Sequence, residues 1–211
     1  MARSLKKLIA AVFCLVLLFE LSSCSVNTKS AEQTGFSMGS LVGIKLYGKN
    51  SEALENANLL AEVVKTDERI SKNYEGSDIY RVNSSGEHGE TVSVETYDEL
   101  RTVCDVYSDS HGKAAALSGA LTELWGFDTD EFRLPSEDEI LSAKEKCGDD
   151  KLIFDDGKKV YIPDGAKLNL GSAGKGIALD EAVKRIDEIN SQGGKITGAV
   201  ISVGGSVATY G

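Results

Sequence analysis

Histidine, paired cysteines and positive charge are all scarce in this chain, and each shortage excludes a class of function. Two histidines in 211 residues, His88 and His111, leave too few imidazoles for a His-rich zinc or haem centre. The four cysteines show no CxxC spacing, which excludes a zinc ribbon, and four are too few for a disulfide scaffold. Lys and Arg number 23 against 33 Asp and Glu, for a net charge of −10. Such a chain lacks the basic face that displaces counterions from phosphates, so nucleic acid is excluded as a partner. No Ser/His/Asp set falls in order around a nucleophile-elbow glycine pattern, which disfavours that hydrolase chemistry. What remains is 41 % hydrophobic, enough to bury the core of about one domain.

The longest apolar run is Leu8 to Phe19, preceded by the basic Arg3, Lys6 and Lys7. As a helix it would rise about 18 Å, short of the roughly 30 Å hydrocarbon core of a bilayer, so a secretory signal fits better than a span. It leads into Leu21-Ser22-Ser23-Cys24. That stretch resembles the bacterial lipobox, which implies cleavage before Cys24 and diacylation of its thiol. Residues 1–23 are therefore expected to be a lipoprotein signal and 24–34 a polar tether. The domain is expected over 35–211, outside the cytoplasm and held at a membrane. In that compartment a disulfide between Cys104 and Cys147 is open. Cys104 also shares an apolar helical face with Leu100, Val103 and Tyr107, which reads as a buried, inert thiol.

Val42, Ile44 and Leu46 alternate as a strand. Ser51 stands where it would cap one helix bearing Leu54, Ala57, Leu60, Ala61 and Val64. A short helix is predicted over 77–82. Thr96 with Glu99 and Ser136 with Glu139 have capping-box spacing; the first opens a helix to His111, with Gly112 to end it. His111 reads as a partner of that helix's C-terminal dipole rather than as a base. Cys147-Gly148 is expected to close the second helix. Asp156-Gly157 between two apolar runs predicts a hairpin. Leu168 and Leu170 suggest a brief strand, followed by a glycine-rich turn and a helix with Ile177, Ala178, Ala182, Val183, Ile186 and Ile189 at helical spacing. Ala199 to Val203 and Ser206 to Tyr210 flank a Gly204-Gly205 turn. Hairpins with interspersed helices predict an α+β fold of mixed, largely antiparallel sheets and packed helices. The chain stops shortly after this last turn with no polar tail, which suggests a truncation.

The stretch Asn169 to Gly176 (NLGSAGKG) carries the most chemistry. It joins a strand pattern to a helix through three glycines and Lys175. Unpaired N–H groups at a helix start suit a phosphate, glycines let the backbone approach closely, and the lysine adds a full charge. It matches neither the Walker A loop nor the dinucleotide fingerprint. A turn that merely packs a helix onto a sheet would look the same. The acidic clusters Glu137-Asp138-Glu139 and Asp149-Asp150 read as solvated helix-end and turn charges.

Taken in order, several segments resemble one family, the ApbE-like FAD:protein FMN transferases. They are Phe36-Ser37-Met38-Gly39-Ser40, Ile70 to Asn73, Ser77 to Asn83 (SDIYRVN), Gly119 to Phe127 (GALTELWGF), Asn169 to Asp180 and Ala199 to Gly205. The resemblance implies an enzyme that binds FAD and Mg²⁺ and transfers FMN to a threonine of an acceptor flavoprotein. By the same resemblance Met38, Asn73, Lys113, Ala114, Ala115, Asn169 and Lys175 fall at cofactor-contact positions, and the Ser172 carbonyl at a Mg²⁺ ligand position. Asn73 stands where the family has an aromatic residue, with Tyr74 adjacent. Residues 112–117 lose the family's Phe, Asp and Thr, and Asn169 replaces an Asp. The resemblance also implies that the chain covers about two thirds of the family's α+β unit, with the side-chain metal ligands beyond it. FAD hydrolysis, or flavin binding without catalysis, would use the same residues.

Overall fold

The computed structural model describes residues 28–127, 129 and 131–211. Cys24 and the residues before it lie outside the described part. The chain opens with a hairpin of β1 (Lys29–Ser37) and β2 (Ser40–Gly48), paired from Lys29↔Gly48 to Ser37↔Ser40. Residues 29–34, expected to be tether, are therefore strand. β1 is an edge strand whose side chains are mostly exposed, so it needs no apolar alternation, and its Glu32 pairs with Lys45 at 2.7 Å across the hairpin.

Two helices follow where one was expected. α1 (Ser51–Asn56) is capped by Asn50, whose Oδ1 accepts from the N–H groups of Glu52 and Ala53. Asn58 then takes a left-handed conformation (φ 46°) and breaks the run before α2 (Leu59–Ile70). The break rotates the apolar face, so α2 buries Leu59, Val63, Thr66 and Ile70 rather than Ala61 and Val64. α3 (Asp78–Ser85) is capped by Ser77, close to the expected helix. A short β3 (Glu90–Thr91) precedes α4 (Val94–Asp109), whose N-cap is Ser93 and not the expected Thr96. Thr96 sits inside the first turn, and the Glu99 carboxylate is bound to Arg69 instead.

α5 (Gly119–Leu124) and α6 (Glu137–Lys144) come next, and α6 carries the Ser136–Glu139 capping box as predicted. α6 ends at Lys144, before the expected Cys147-Gly148. The predicted hairpin forms as β4 (Ile153–Phe154) and β5 (Lys159–Tyr161). Leu168 and Leu170 form no strand. Residues 167–169 instead meet the loop before α5, with Gly119 N–H donating to the Lys167 carbonyl and Asn169 N–H to that of Ala116. The long α7 (Gly174–Ser191), β6 (Ile196–Val203) and β7 (Ser206–Tyr210) complete the described chain.

Every pairing among the described residues is antiparallel: a four-stranded sheet in the order β1-β2-β6-β7 and a three-stranded sheet β3-β5-β4. The expected α+β architecture is thus present. The larger sheet buries Val42, Ile44, Leu46, Ile201 and Val203 against α1, α2 and α7. A second core gathers Ile79, Val82, Leu100, Leu117, Val160 and Leu168. α2 and α7 contribute to both cores, and Met38 packs against each. Cys104 and Cys147 are unpaired thiols. Burial and the nearby Asp149 push the Cys104 thiol up to about 11, which keeps it protonated and unreactive.

Candidate functional site

A cavity of about 170 Å³ opens where the two cores meet. Its walls come from the β1–β2 turn (Met38), the end of α2 and the loop after it (Asp67, Ile70, Ser71, Lys72, Asn73), and the start of α7 (Asn169, Leu170, Gly171, Gly174, Lys175). These segments are far apart in sequence. The end of α2 meets the start of α7 closely enough that a Cβ on Gly174 would lie 3.3 Å from Ile70 Cδ1.

The start of α7 combines an uncapped helix end with a lysine. A 3₁₀ turn, Leu170–Ser172, leads into it, and Asn169 Oδ1 accepts from Gly171 N–H at 2.9 Å. Asn169 Nδ2 donates to Thr122 Oγ1, and its backbone is tied to Ala116, so the side chain is fixed at both ends. α7 itself has no side-chain cap and no acidic residue in its first turn. Its first N–H groups have no partner within the helix. Lys175 stands in that turn, where a cation opposes the helix dipole. Among the described residues its ammonium makes no ion pair or hydrogen bond. Its aliphatic stem passes the β6–β7 turn: a Cβ on Gly204 (φ +57°) would fall 3.3 Å from Lys175 Cε and 2.9 Å from Ser40 Oγ. Only glycine leaves that passage open at a positive φ.

The opposite wall is held by Asp67, a residue that no sequence pattern singled out. Its Oδ2 accepts from Met38 N–H at 2.6 Å and from Ser37 Oγ at 2.9 Å. The loop after α2 is shaped by Ser77 Oγ donating to the Ser71 carbonyl and by Asn73 N–H donating to Ser71 Oγ.

Met38, Asn73, Asn169 and Lys175 are thus brought to one cavity. Lys113, Ala114 and Ala115 are not among the lining residues. They lie in the loop before α5, anchored by Ser110 Oγ on Ala114 N–H and by the Asp149 carboxylate on Ala116 and Leu117 N–H. Asp149, read from sequence as a solvated charge, is therefore buried and structural; burial raises its carboxyl pKa despite these two bonds. Ser172 belongs to the same turn as Asn169 but does not line the cavity, and it is exposed.

The described residues do not by themselves fit a magnesium ion. No group of three or more His, Cys, Asp or Glu side chains among them could hold a metal ion. The Ser172 carbonyl is one oxygen where Mg²⁺ takes about six.

The model of the ApbE family matches residues 38–211. The chain belongs to the ApbE family. A curated relative, FAD:protein FMN transferase of Haemophilus influenzae, is 21% identical over 220 residues, covering 98% of this chain and 62% of the relative. Among solved structures, the ApbE protein of Thermotoga maritima is 26% identical with a TM-score of 0.77, over 87% of this chain and 59% of that one. The flavinyl transferase ApbE of Pseudomonas stutzeri, in its apo form, is 24% identical with a TM-score of 0.71, again over 87% and 59%. This ApbE chain therefore spans about three fifths of the length of the relatives it matches.

Proposed function

We propose that this chain carries the nucleotide-binding part of an FAD:protein FMN transferase. In this reading a threonine hydroxyl of an acceptor flavoprotein attacks the FMN phosphorus of FAD. A P–O bond to threonine forms, the pyrophosphate P–O bond breaks, AMP leaves, and the hydroxyl proton is released. The observation that carries the reading is the free Lys175 ammonium at the uncapped start of α7, inside the cavity that Met38 lines. Both features disfavour the helix unless an anion sits there. Lys175 and the α7 N–H groups would hold the pyrophosphate, and the apolar Met38 would face the rest of the nucleotide. A cavity of about 170 Å³ is smaller than the roughly 300–1,000 Å³ that encloses a drug-sized ligand, so FAD would extend beyond it. Family membership and the H. influenzae transferase support this reading.

No step is assigned to magnesium, because among the described residues no group of three or more His, Cys, Asp or Glu side chains could hold it. A second reading, a flavin-binding protein without catalysis, is favoured by Ala114 and Ala115 standing where the family carries other residues; FAD hydrolysis would use the same site. The test is incubation of the complete protein with FAD, Mg²⁺ and a threonine-bearing acceptor flavoprotein. Transfer gives a fluorescent acceptor band that survives denaturation, together with one AMP per FMN attached. FMN and AMP free in solution would indicate hydrolysis, and bound but intact FAD would indicate binding alone.

The lipid anchor belongs to the same proposal. Acylation of Cys24 would hold the domain outside the cytoplasm, beside membrane-bound acceptors. Supporting it are the basic start, the apolar run Leu8 to Phe19 and the lipobox resemblance. Cys24→Ala should move the protein to the soluble fraction and abolish incorporation of labelled palmitate; membrane retention of that variant would remove the anchor.

A further inference from the structure

The two central residues of the β1–β2 turn, Met38 (φ +51°) and Gly39 (φ +64°), are both left-handed. With Ser37 paired to Ser40, this is a two-residue hairpin turn of type I′. That turn favours Asn or Gly at its first position, because a larger side chain is strained at positive φ. Methionine there is a poor turn former, so something outside the hairpin has to hold it. Among the described residues, the only side-chain hydrogen bonds to the turn's first half come from Asp67 of α2, through one oxygen that accepts from both Met38 N–H and Ser37 Oγ. Asp67 itself lines the cavity, one helical turn before Ser71.

We infer that Asp67 is a positioning residue that latches the Met38 turn over the cavity and so sets its ligand-ready shape. Its role is to accept two hydrogen bonds, not to touch the reacting atoms. The ligand arm of this inference rests on the FAD reading; the latch itself does not.

The full chain contains two methionines, Met1 and Met38, so a sample labelled at the methionine methyl carbon gives at most two signals. Met38→Leu identifies the Met38 signal. Asp67→Ala should move that signal toward the position of a solvent-exposed methionine and weaken FAD binding about tenfold or more. Asp67→Asn keeps an acceptor oxygen and should leave the signal near wild type, with FAD affinity within about threefold. Ser37→Ala, which removes one of the two donors, should move the signal in the same direction as Asp67→Ala by less, and it serves if Asp67→Ala does not fold. An unmoved Met38 signal in Asp67→Ala, or in Ser37→Ala where Asp67→Ala does not fold, overturns the latch. So does an Asp67→Asn variant that behaves like Asp67→Ala, since the charge would then matter rather than the hydrogen bonds. If FAD leaves the wild-type signal in place while Asp67→Ala still shifts it, the latch stands and the FAD reading falls.

Discussion

Asp78 shows how far one carboxylate can organise this chain. Burial alone would raise its pKa, but the hydroxyls of Ser93 and Thr96, the Ser93 N–H and Arg81 together hold it below the ordinary aspartate value. Its Oδ2 accepts from Ser93 N–H at 3.0 Å and Ser93 Oγ at 2.6 Å, and Arg81 reaches Oδ1 at 2.7 Å. One side chain thereby ties the start of α3 to the start of α4. Asp78→Ala should cost about 1.5–3 kcal/mol, the value of hydrogen bonds to a charged group, read from urea unfolding. Because the folded pKa is depressed, the stabilisation is complete above the unfolded value near 3.8 and is lost as pH falls below it. The variant should lose that part of the acid dependence. The residues around the cavity follow a different logic: Met38 at positive φ and Lys175 at a helix start each break a local rule. Such conflicts concentrate at functional sites. The lysine was legible in sequence through its glycines. Asp67 was not, because its importance exists only once α2 packs beside a turn some thirty residues earlier.

At the scale of elements, local signals survived where nothing distant competed for them. The Ser136–Glu139 box formed as read because, among the described residues, Glu139 has only Ser136 and the nearby Arg133 to answer to, and these hold its carboxyl down at about 2. Thr96 and Glu99 have the same spacing, yet Arg69 of α2 takes Glu99 in a bidentate pair at 2.6 Å and donates to Thr96 Oγ1 as well. Burial raises the Glu99 carboxyl, and Arg69 offsets this only in part. A largely but not fully buried pair of this kind fixes geometry more than it stabilises. Glu99→Ala should therefore cost about 3–5 kcal/mol by stranding the Arg69 charge, whereas replacing both with Met and Leu should be close to neutral. Chemical denaturation of the single and double variants checks it; equal losses in both would contradict the account. Two misreadings at this scale have similar causes. β1 was hidden because an exposed edge strand needs no apolar alternation. The expected strand at Leu168 failed because the Asn83 side-chain amide takes both the Leu168 N–H and its carbonyl, while its neighbours bond the loop at Ala116 and Gly119.

Across the whole molecule, the cavity lies at the joint between two cores that share α2, α7 and Met38. Elements common to both should make the cores unfold together. Calorimetry is expected to show one transition, and two resolved transitions would mean the joint is weaker than its packing suggests. The acid excess that excluded nucleic acid also isolates Lys175: on a chain of net charge −10, anion binding has to be local. The most direct test is the FAD affinity of the full chain and of Lys175→Ala, by flavin fluorescence titration, with thermal melting of both unliganded proteins. The account predicts FAD binding weakened by about 1.5–3 kcal/mol in the variant, roughly ten- to a hundredfold, because a charge-assisted hydrogen bond to phosphate is lost. It also predicts an unliganded variant at least as stable as the wild type, since a cation leaves the positive end of α7. Equal FAD affinity in the two proteins would contradict the assignment of this cavity to the nucleotide's phosphates.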